Sequence, residues 1–112
     1  MAGVVFHLNE EDPKKHLLVL KNIRNVRKTM PDLVIELVVH GPALGLVVAS
    51  QSTQPDELEA LQNEGVRVAV CQNTMQAQQL TEADLLPGMT IVRAGIAEII
   101  QRQQEGYSYV KP

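Results

Sequence analysis

The sequence predicts an α/β protein, a single domain over residues 1–112 in which helices cover both faces of a mainly parallel sheet. Short aliphatic runs recur along the chain, and segments with helical spacing separate them, which is the pattern of parallel strands joined by crossover helices. A chain of 112 residues suffices for one modest core. Apolar residues make up 45% of the chain and charged residues 21%, so we expect a folded globular chain.

The first half of the chain contains two predicted strands around a long helix. Residues 4–8 form an apolar run rich in β-branched residues, which indicates a strand. Residues 9–13 supply capping, acidic and proline residues that begin a helix, which is expected to continue to about Met30. Residues 33–39 are nearly continuous aliphatic sequence around Glu36, which is typical of a strand buried on both faces.

The second half continues this alternation. Residues 43–49 are apolar but contain Gly45, so they fit no single element; they are a candidate contact with another subunit. Ile96, Ile99 and Ile100 are expected to form the buried stripe of the last helix. The predicted elements are a helix over residues 53–64 capped by Thr53, a strand over 66–71, a helix with Asn73 and Gln76 as its capping box, a strand over 89–92, a helix over 96–104 and a strand over 107–110.

Charge and composition argue against two classes of partner. A net charge of -3 and an aromatic content of 3% provide little for binding nucleic acid. No apolar run reaches the length of a membrane span, and the first residues lack the basic end and long apolar centre of a signal peptide. We therefore expect a cytoplasmic protein that binds neither nucleic acid nor membrane.

Cys71 is the only cysteine of the chain, so it cannot form an internal disulfide. It ends the predicted third strand, just ahead of a helix. The partial positive charge and free N–H groups of a helix N-terminus favour a thiolate, which is the nucleophilic form of cysteine. Gln72 and Asn73 offer further hydrogen-bond donors. A buried cysteine also packs as a small hydrophobic residue, so a structural role stays open beside the reactive one.

Other candidate residues follow from the point at which parallel strands end. Ligands of open parallel sheets bind beyond the carboxyl ends of the strands. Four residues stand at the carboxyl ends of the predicted strands: Asn9, His40, Cys71 and Arg93. His40 can exchange a proton near neutral pH and activate a thiol, or it can be a turn residue bound to the backbone. We expect His7 to be packed and hydrogen-bonded, and His16 to be solvated.

The sequence predicts no metal and no cofactor. The three histidines and Cys71 lack the spacing of metal ligands on one element. Residues 41–45 are glycine-containing but lack the Gly-Lys-Ser/Thr ending of a phosphate-binding loop.

Four segments of the chain stand out together. They are LVVHGP at residues 37–42, GV at 65–66 leading into VAVCQNT at 68–74, LLPG at 85–88, and QEGYSYVKP at 104–112. With these segments the chain resembles, over nearly its full length, the DsrE/DsrF-like family of small sulfur-relay and related proteins, and within it a stand-alone branch of bacterial and archaeal proteins.

The resemblance implies a three-layer α/β/α fold with a five-stranded parallel sheet, and homo-oligomers that are trimers or hexamers. It implies that Cys71 carries sulfur as a persulfide, received from a donor protein and passed to an acceptor protein. The family fold brings the second and third strands together, and with them His40 and Cys71, our candidate catalytic residues. The candidate ligand-binding residues are Asn9, Gln72, Asn73 and Thr74.

Two alternatives to sulfur relay stay open. The chain can be a non-catalytic oligomeric binding or regulatory protein in which Cys71 belongs to the core. It can also form a small-molecule pocket between subunits, near Cys71 and His40.

Overall fold

A five-stranded sheet forms the centre of the molecule, whose structure is a computed structural model that describes residues 2–112. All neighbouring strands are parallel, in the order β4-β3-β2-β1-β5. The α/β class and the five-stranded parallel sheet are thereby confirmed. The strands are β1 (Gly3–Leu8), β2 (Val34–Val39), β3 (Arg67–Cys71), β4 (Thr90–Val92) and β5 (Ser108–Val110).

Helices connect the strands. The first begins as its sequence predicts, because the Asp12 side chain accepts a hydrogen bond from the Lys14 N–H at 2.9 Å and Pro13 occupies the first helical position. No helix among residues 2–112 is long and apolar enough to cross a membrane. The helices are α1 (Pro13–Thr29), α2 (Pro55–Asn63), α3 (Gln72–Ala77) and α4 (Gly95–Gln104), with two short 3₁₀ helices, Gly41–Leu46 and Glu82–Asp84.

The strand order gives the two faces of the sheet unequal cover. From β1 to β4 each strand is added on the same side of the previous one, and β5 then returns to the far side of β1. Right-handed crossovers therefore place the helices that precede β4 on one face and α4 on the other. The first face carries the large core, in which α1, α2 and the first 3₁₀ helix pack. Under α4 the buried apolar cluster is small: Val5, Val38, Ala69 and Ile99.

Two predicted helix starts are wrong. Helix α2 begins at Pro55 after Gln54, so Thr53 is not its cap. Helix α3 begins at Gln72, directly after Cys71, so Asn73 lies inside the helix and opens no capping box with Gln76. In both cases the chain turns into the helix at a residue without a capping side chain, and the sequence signals for caps lie one or two residues away.

Three side-chain predictions are also wrong. Residues 43–49 do not face another subunit, because Ala43, Leu44 and the residues up to Val48, apart from Gly45, are buried in the large core of their own chain. Of the three isoleucines of α4 only Ile99 is buried, while Ile96 and Ile100 are each 51% exposed. His16 is buried rather than solvated, and its Nε2 lies 2.7 Å from the Glu10 carbonyl oxygen.

Candidate functional site

Cys71 and His40 occupy matching positions at the carboxyl edge of the sheet. Val38 of β2 pairs with Ala69 of β3, and both face the small cluster under α4. Side chains two residues apart on a strand share a face. His40 and Cys71, each two residues beyond this pair, therefore lie on that same face. The His40 N–H donates to the Leu8 carbonyl at 3.2 Å, which continues the sheet pairing to the end of β1.

The thiol of Cys71 is buried, with 5% of the residue exposed, and is surrounded by hydrogen-bond donors. Burial acts to raise its pKa. Hydrogen bonds from the Thr74 hydroxyl and from the backbone N–H groups of Thr74, Gly95 and Asn73 outweigh burial, so the pKa of Cys71 is lowered. A lowered pKa increases the share of the thiolate, which is the nucleophilic form of the cysteine.

The Thr74 side chain links this thiol to the turn that follows β2. Its hydroxyl oxygen accepts the Gly41 N–H at 2.9 Å, which leaves the hydroxyl proton free to point at Cys71. The Gln78 side chain donates to the Gly41 carbonyl at 3.3 Å. Helix α3 and the His40–Gly41 turn are therefore fixed to each other beside the cysteine.

The imidazole of His40 is directed at His7. The two Nε2 atoms lie 2.5 Å apart. The rings are within 16° of parallel and their centroids are 4.7 Å apart, a geometry in which they meet edge to edge through these nitrogens. On the other side of His7, Nδ1 lies 2.7 Å from the Tyr109 hydroxyl. The expectation that His7 is packed and hydrogen-bonded is confirmed.

The surroundings favour the neutral form of both imidazoles. Burial lowers the pKa of His7 and of His40, and the positive charge of Lys111 lowers both further. For His7 the neighbouring His40 adds to this effect, and Glu10 opposes it. The Lys111 Nζ lies 2.6 Å from a carboxylate oxygen of Glu10, so this ammonium is fixed close to the histidine pair.

Helix α4 begins directly beside the site. A side chain at Gly95 would place its Cβ 3.1 Å from the His40 Cβ and 3.3 Å from a methyl of Val38. Glycine therefore lets the helix start approach His40, and the Gly95 N–H helps to lower the pKa of Cys71. The position of α4 thus bears on both candidate catalytic residues.

A cluster of four charged residues, of which the two glutamates are buried, anchors the rest of α4 to the sheet. Glu36, in the middle of β2, is 2% exposed and lies 2.9 Å from the Arg67 Nε and 3.5 Å from the Arg102 Nε. Glu98 lies 3.0 Å from the same Arg102 Nε. Burial, followed by the adjacent Glu98 carboxyl, raises the pKa of Glu36 to about 7, against the opposing effect of the two arginines.

The remaining predicted residues follow strands at the same edge of the sheet and are partly or fully exposed. Asn9 follows β1 and is partly exposed, and its N–H donates to the Glu10 side chain at 3.3 Å. Gln72 and Asn73 are exposed on the first turn of α3, where the Asn73 N–H reaches Cys71. Arg93 is exposed beyond β4. Within residues 2–112 no three His, Cys, Asp or Glu side chains lie together as metal ligands.

Sequence reasoning missed three contributors. Tyr109 and Gly95 reach the site only through the strand order, which no local pattern contains. The charged cluster had a signal, since Glu36 is the one charged residue within an otherwise aliphatic strand. A buried charge of this kind requires a partner, although the sequence does not say which.

Solved structures share this fold over the whole chain. The protein of unknown function MTH1491 from Methanobacterium thermoautotrophicum is similar with a TM-score of 0.95 and 32% identity, covering 100% of both chains. The ychN protein from E. coli is similar with a TM-score of 0.85 and 17% identity, also covering 100% of both chains. The protein of unknown function BT1422 from Bacteroides thetaiotaomicron has a TM-score of 0.78 and 12% identity, covering 98% of this chain and 94% of its own.

Comparison with sequences gives a consistent result. The model of the DsrE/DsrF-like family matches residues 4–112, which include every residue of the site described above. No curated protein matches the chain.

Proposed function

The chain belongs to the DsrE/DsrF-like family, and on that premise we propose that it is a sulfur-relay protein that carries sulfur as a persulfide on Cys71. The observation that carries the proposal is the set of donors around the thiol, which lower its pKa although the residue is buried. A cysteine that served only as packing would need no such donors, because a neutral thiol is a weak acceptor.

The donors serve both halves of a transfer. In loading, the Cys71 thiolate attacks the terminal sulfur of a persulfide donor, a new S–S bond forms, the donor S–S bond breaks, and the donor leaves as a thiolate that takes up a proton. In unloading, an acceptor thiolate attacks the outer sulfur and Cys71 leaves as a thiolate. Neither step needs an oxidant, and both gain from a stabilised Cys71 thiolate.

Mass spectrometry after incubation with a persulfide donor tests the proposal. The wild-type chain should gain the mass of one sulfur atom, the gain should disappear on reduction, and it should be absent from Cys71→Ser. An established relay protein treated in parallel shows that the donor is competent. Loading of that protein while Cys71 stays unmodified would refute sulfur carriage.

The partners proposed with this function are a sulfur-donor protein, a sulfur-acceptor protein and further copies of the chain. A homo-oligomer, trimer or hexamer, is supported by the exposed Ile96 and Ile100 on α4. A reducing cytoplasm would keep the single cysteine free as a thiol between transfers.

A second candidate function is non-catalytic binding or regulation. The 5% exposure of Cys71 favours it, since a relay cysteine must be reached by a donor and an acceptor. Alkylation of the native protein separates the two functions. Rapid labelling with iodoacetamide at neutral pH supports sulfur relay, whereas a thiol that is labelled only after unfolding, and a Cys71→Ala variant altered only in stability, support the binding function.

A further inference from the structure

One row of polar side chains crosses four adjacent strands at the carboxyl edge of the sheet. The strand order β3-β2-β1-β5 brings together Cys71, His40, His7 and Tyr109, one from each strand or strand end. Tyr109 pairs with Val5, so it faces the same side as His7, two residues further along β1. Tyr109 is 42% exposed and His40 is partly exposed, whereas His7 is 8% exposed and Cys71 5%. The row therefore joins the exposed outer edge of the sheet, by way of His7 and His40, to the strand end that carries the buried thiol.

The hydrogen bonds along this row can pass a proton. At a separation of 2.5 Å the two Nε2 atoms of His7 and His40 hold one proton between them. A neutral imidazole has one donor and one acceptor nitrogen, and the Tyr109 hydroxyl, 2.7 Å from the His7 Nδ1, can donate or accept. A proton can therefore move along this row of hydrogen bonds in either direction when the imidazoles exchange tautomers, without movement of the strands.

We propose that Tyr109, His7 and His40 form a proton relay between the outer edge of the sheet and the Cys71 site, in which His40 protonates the thiolate that leaves when Cys71 is loaded. The proposal rests on the proposed chemistry of Cys71. Only His40 is the candidate proton donor to the leaving group, while His7 and Tyr109 act through it. The proton that His40 gives up is replaced from solvent by way of Tyr109 and His7.

The charges around the pair suit this task. The groups that act on the two histidines are the Tyr109 hydroxyl and Lys111 from the side of β5, and Glu10 after β1. Cys71 ends β3, the strand beside β2, and Gly95 at the start of α4 lies against His40 without a side chain. Burial and Lys111 lower the pKa of both imidazoles and so favour the neutral form, in which an imidazole has one donor and one acceptor nitrogen and can relay a proton.

The proton balance of the loading step is complete. Cys71 enters as a thiolate and ends as a persulfide, and the donor enters as a persulfide and leaves as a thiol. The proton of that thiol comes from His40, and the relay returns one proton to His40. A dialkyl disulfide in place of the persulfide makes the same demand, because its leaving alkyl thiolate also needs a proton.

Chemical rescue tests the relay. The rate constant for loading of Cys71 is measured at neutral pH with a persulfide donor and, separately, with hydroxyethyl disulfide, each with and without added imidazole. Tyr109→Phe, which removes one hydroxyl, should react on the order of tenfold more slowly, and imidazole should restore its rate, since it replaces an internal proton donor. Tyr107→Phe is the matched control, because Tyr107 lies on Arg102 outside the row, and it should match the wild type.

The outcomes separate the relay from the sulfur function. His7→Gln is the second variant and should behave as Tyr109→Phe does if both act through His40. Wild-type rates in both variants, or slow rates that imidazole does not restore, overturn the relay. If both variants react slowly with hydroxyethyl disulfide and imidazole restores their rates, but the wild type takes up no sulfur from the persulfide donor, the relay is supported and sulfur carriage is refuted. A wild-type thiol that reacts with neither reagent overturns both.

Discussion

The Thr74 hydroxyl performs two tasks with one side chain. It accepts the Gly41 N–H at 2.9 Å and donates towards Cys71, so the oxygen ties the turn after β2 to the thiol. A serine in its place keeps both bonds, and a valine keeps the shape but loses both. The pair of substitutions isolates the hydroxyl from the packing of the side chain.

Thr74→Val should raise the pKa of Cys71. A hydrogen bond to a charged group is worth more than one between neutral groups, so alkylation by iodoacetamide at neutral pH should slow by about tenfold. The unpaired Gly41 N–H should lower the free energy of unfolding by about 1 kcal/mol. The measurement is the pH dependence of the alkylation rate, with Thr74→Ser as the control that stays near wild type. An unchanged Thr74→Val profile would show that the hydroxyl does not hold the thiolate.

Individual site residues were predictable where local sequence determines them. Cys71 and His40 end aliphatic runs, and the parallel arrangement then places them at one edge. Asn73 shows the limit of local sequence, because its pattern predicts a cap whereas the residue lies inside the helix. Tyr109 was beyond reach, since its contact with His7 joins residues 102 positions apart and depends on β5 lying beside β1.

Helix α4 shows why an apolar stripe can mislead at the scale of one element. The sequence favoured Ile96, Ile99 and Ile100 as the buried side. The side that meets the sheet instead presents Gly95, Glu98, Ile99 and Arg102, of which Glu98 and Arg102 are ion-paired. Hydrophobicity alone cannot predict this face, because half of its residues are charged. Their charges are paired with those of Glu36 and Arg67 on the sheet.

The charged cluster of Glu36, Glu98, Arg67 and Arg102 should contribute a free energy of unfolding that falls as pH rises. The pKa of Glu36 is about 7 in the folded protein and 4.5 ordinarily, so the folded state binds the proton more tightly than the unfolded chain does. The free energy of unfolding is then highest below the ordinary pKa and is lost as pH rises through the raised value, by up to about 3 kcal/mol. Glu98 has a lowered pKa, so its contribution changes only in the acid range below this window.

Glu36→Gln tests this dependence, because glutamine stays neutral at every pH. In urea unfolding from about pH 5 to about pH 8, the wild type should lose stability relative to the variant as pH rises, because the lowered pKa values of His7 and His40 act in both proteins and cancel in the difference. Glu105→Gln is the matched control, since Glu105 also pairs with Arg102 but on the exposed side of α4, at 2.7 Å. A difference in stability between the wild type and Glu36→Gln that stays constant over this range would contradict the assignment.

At the scale of the whole molecule, the two faces of the sheet are covered to different depths. One face holds most of the core, and the other has four buried apolar residues beneath a single helix. The alternation of elements predicted the sheet and its layers. It did not predict this imbalance, because the imbalance follows from β5 crossing back beside β1.

We expect copies of the chain to associate through α4, which covers the face of the sheet with the smaller core. Replacing Ile96 and Ile100 together with Lys should convert a trimer or hexamer into smaller species, because charged side chains disfavour a buried contact. Multi-angle light scattering gives the mass. Leu17 and Leu18, 38% and 48% exposed on α1, offer a matched double lysine variant on the opposite face. A monomeric wild type, or dissociation caused only by the α1 variant, would refute this assignment.

Strand β5 joins the sheet through three exposed residues that pair with β1 alone. A segment held by so few interactions opens by local fraying far more often than the molecule unfolds, and its amides exchange with solvent first. Each such opening withdraws Tyr109 from His7 and leaves the rest of the sheet intact. The opening and closing of β5 thus sets the fraction of time for which Tyr109 connects the histidine pair to solvent. Ligands or subunits that hold β5 in place would increase this fraction.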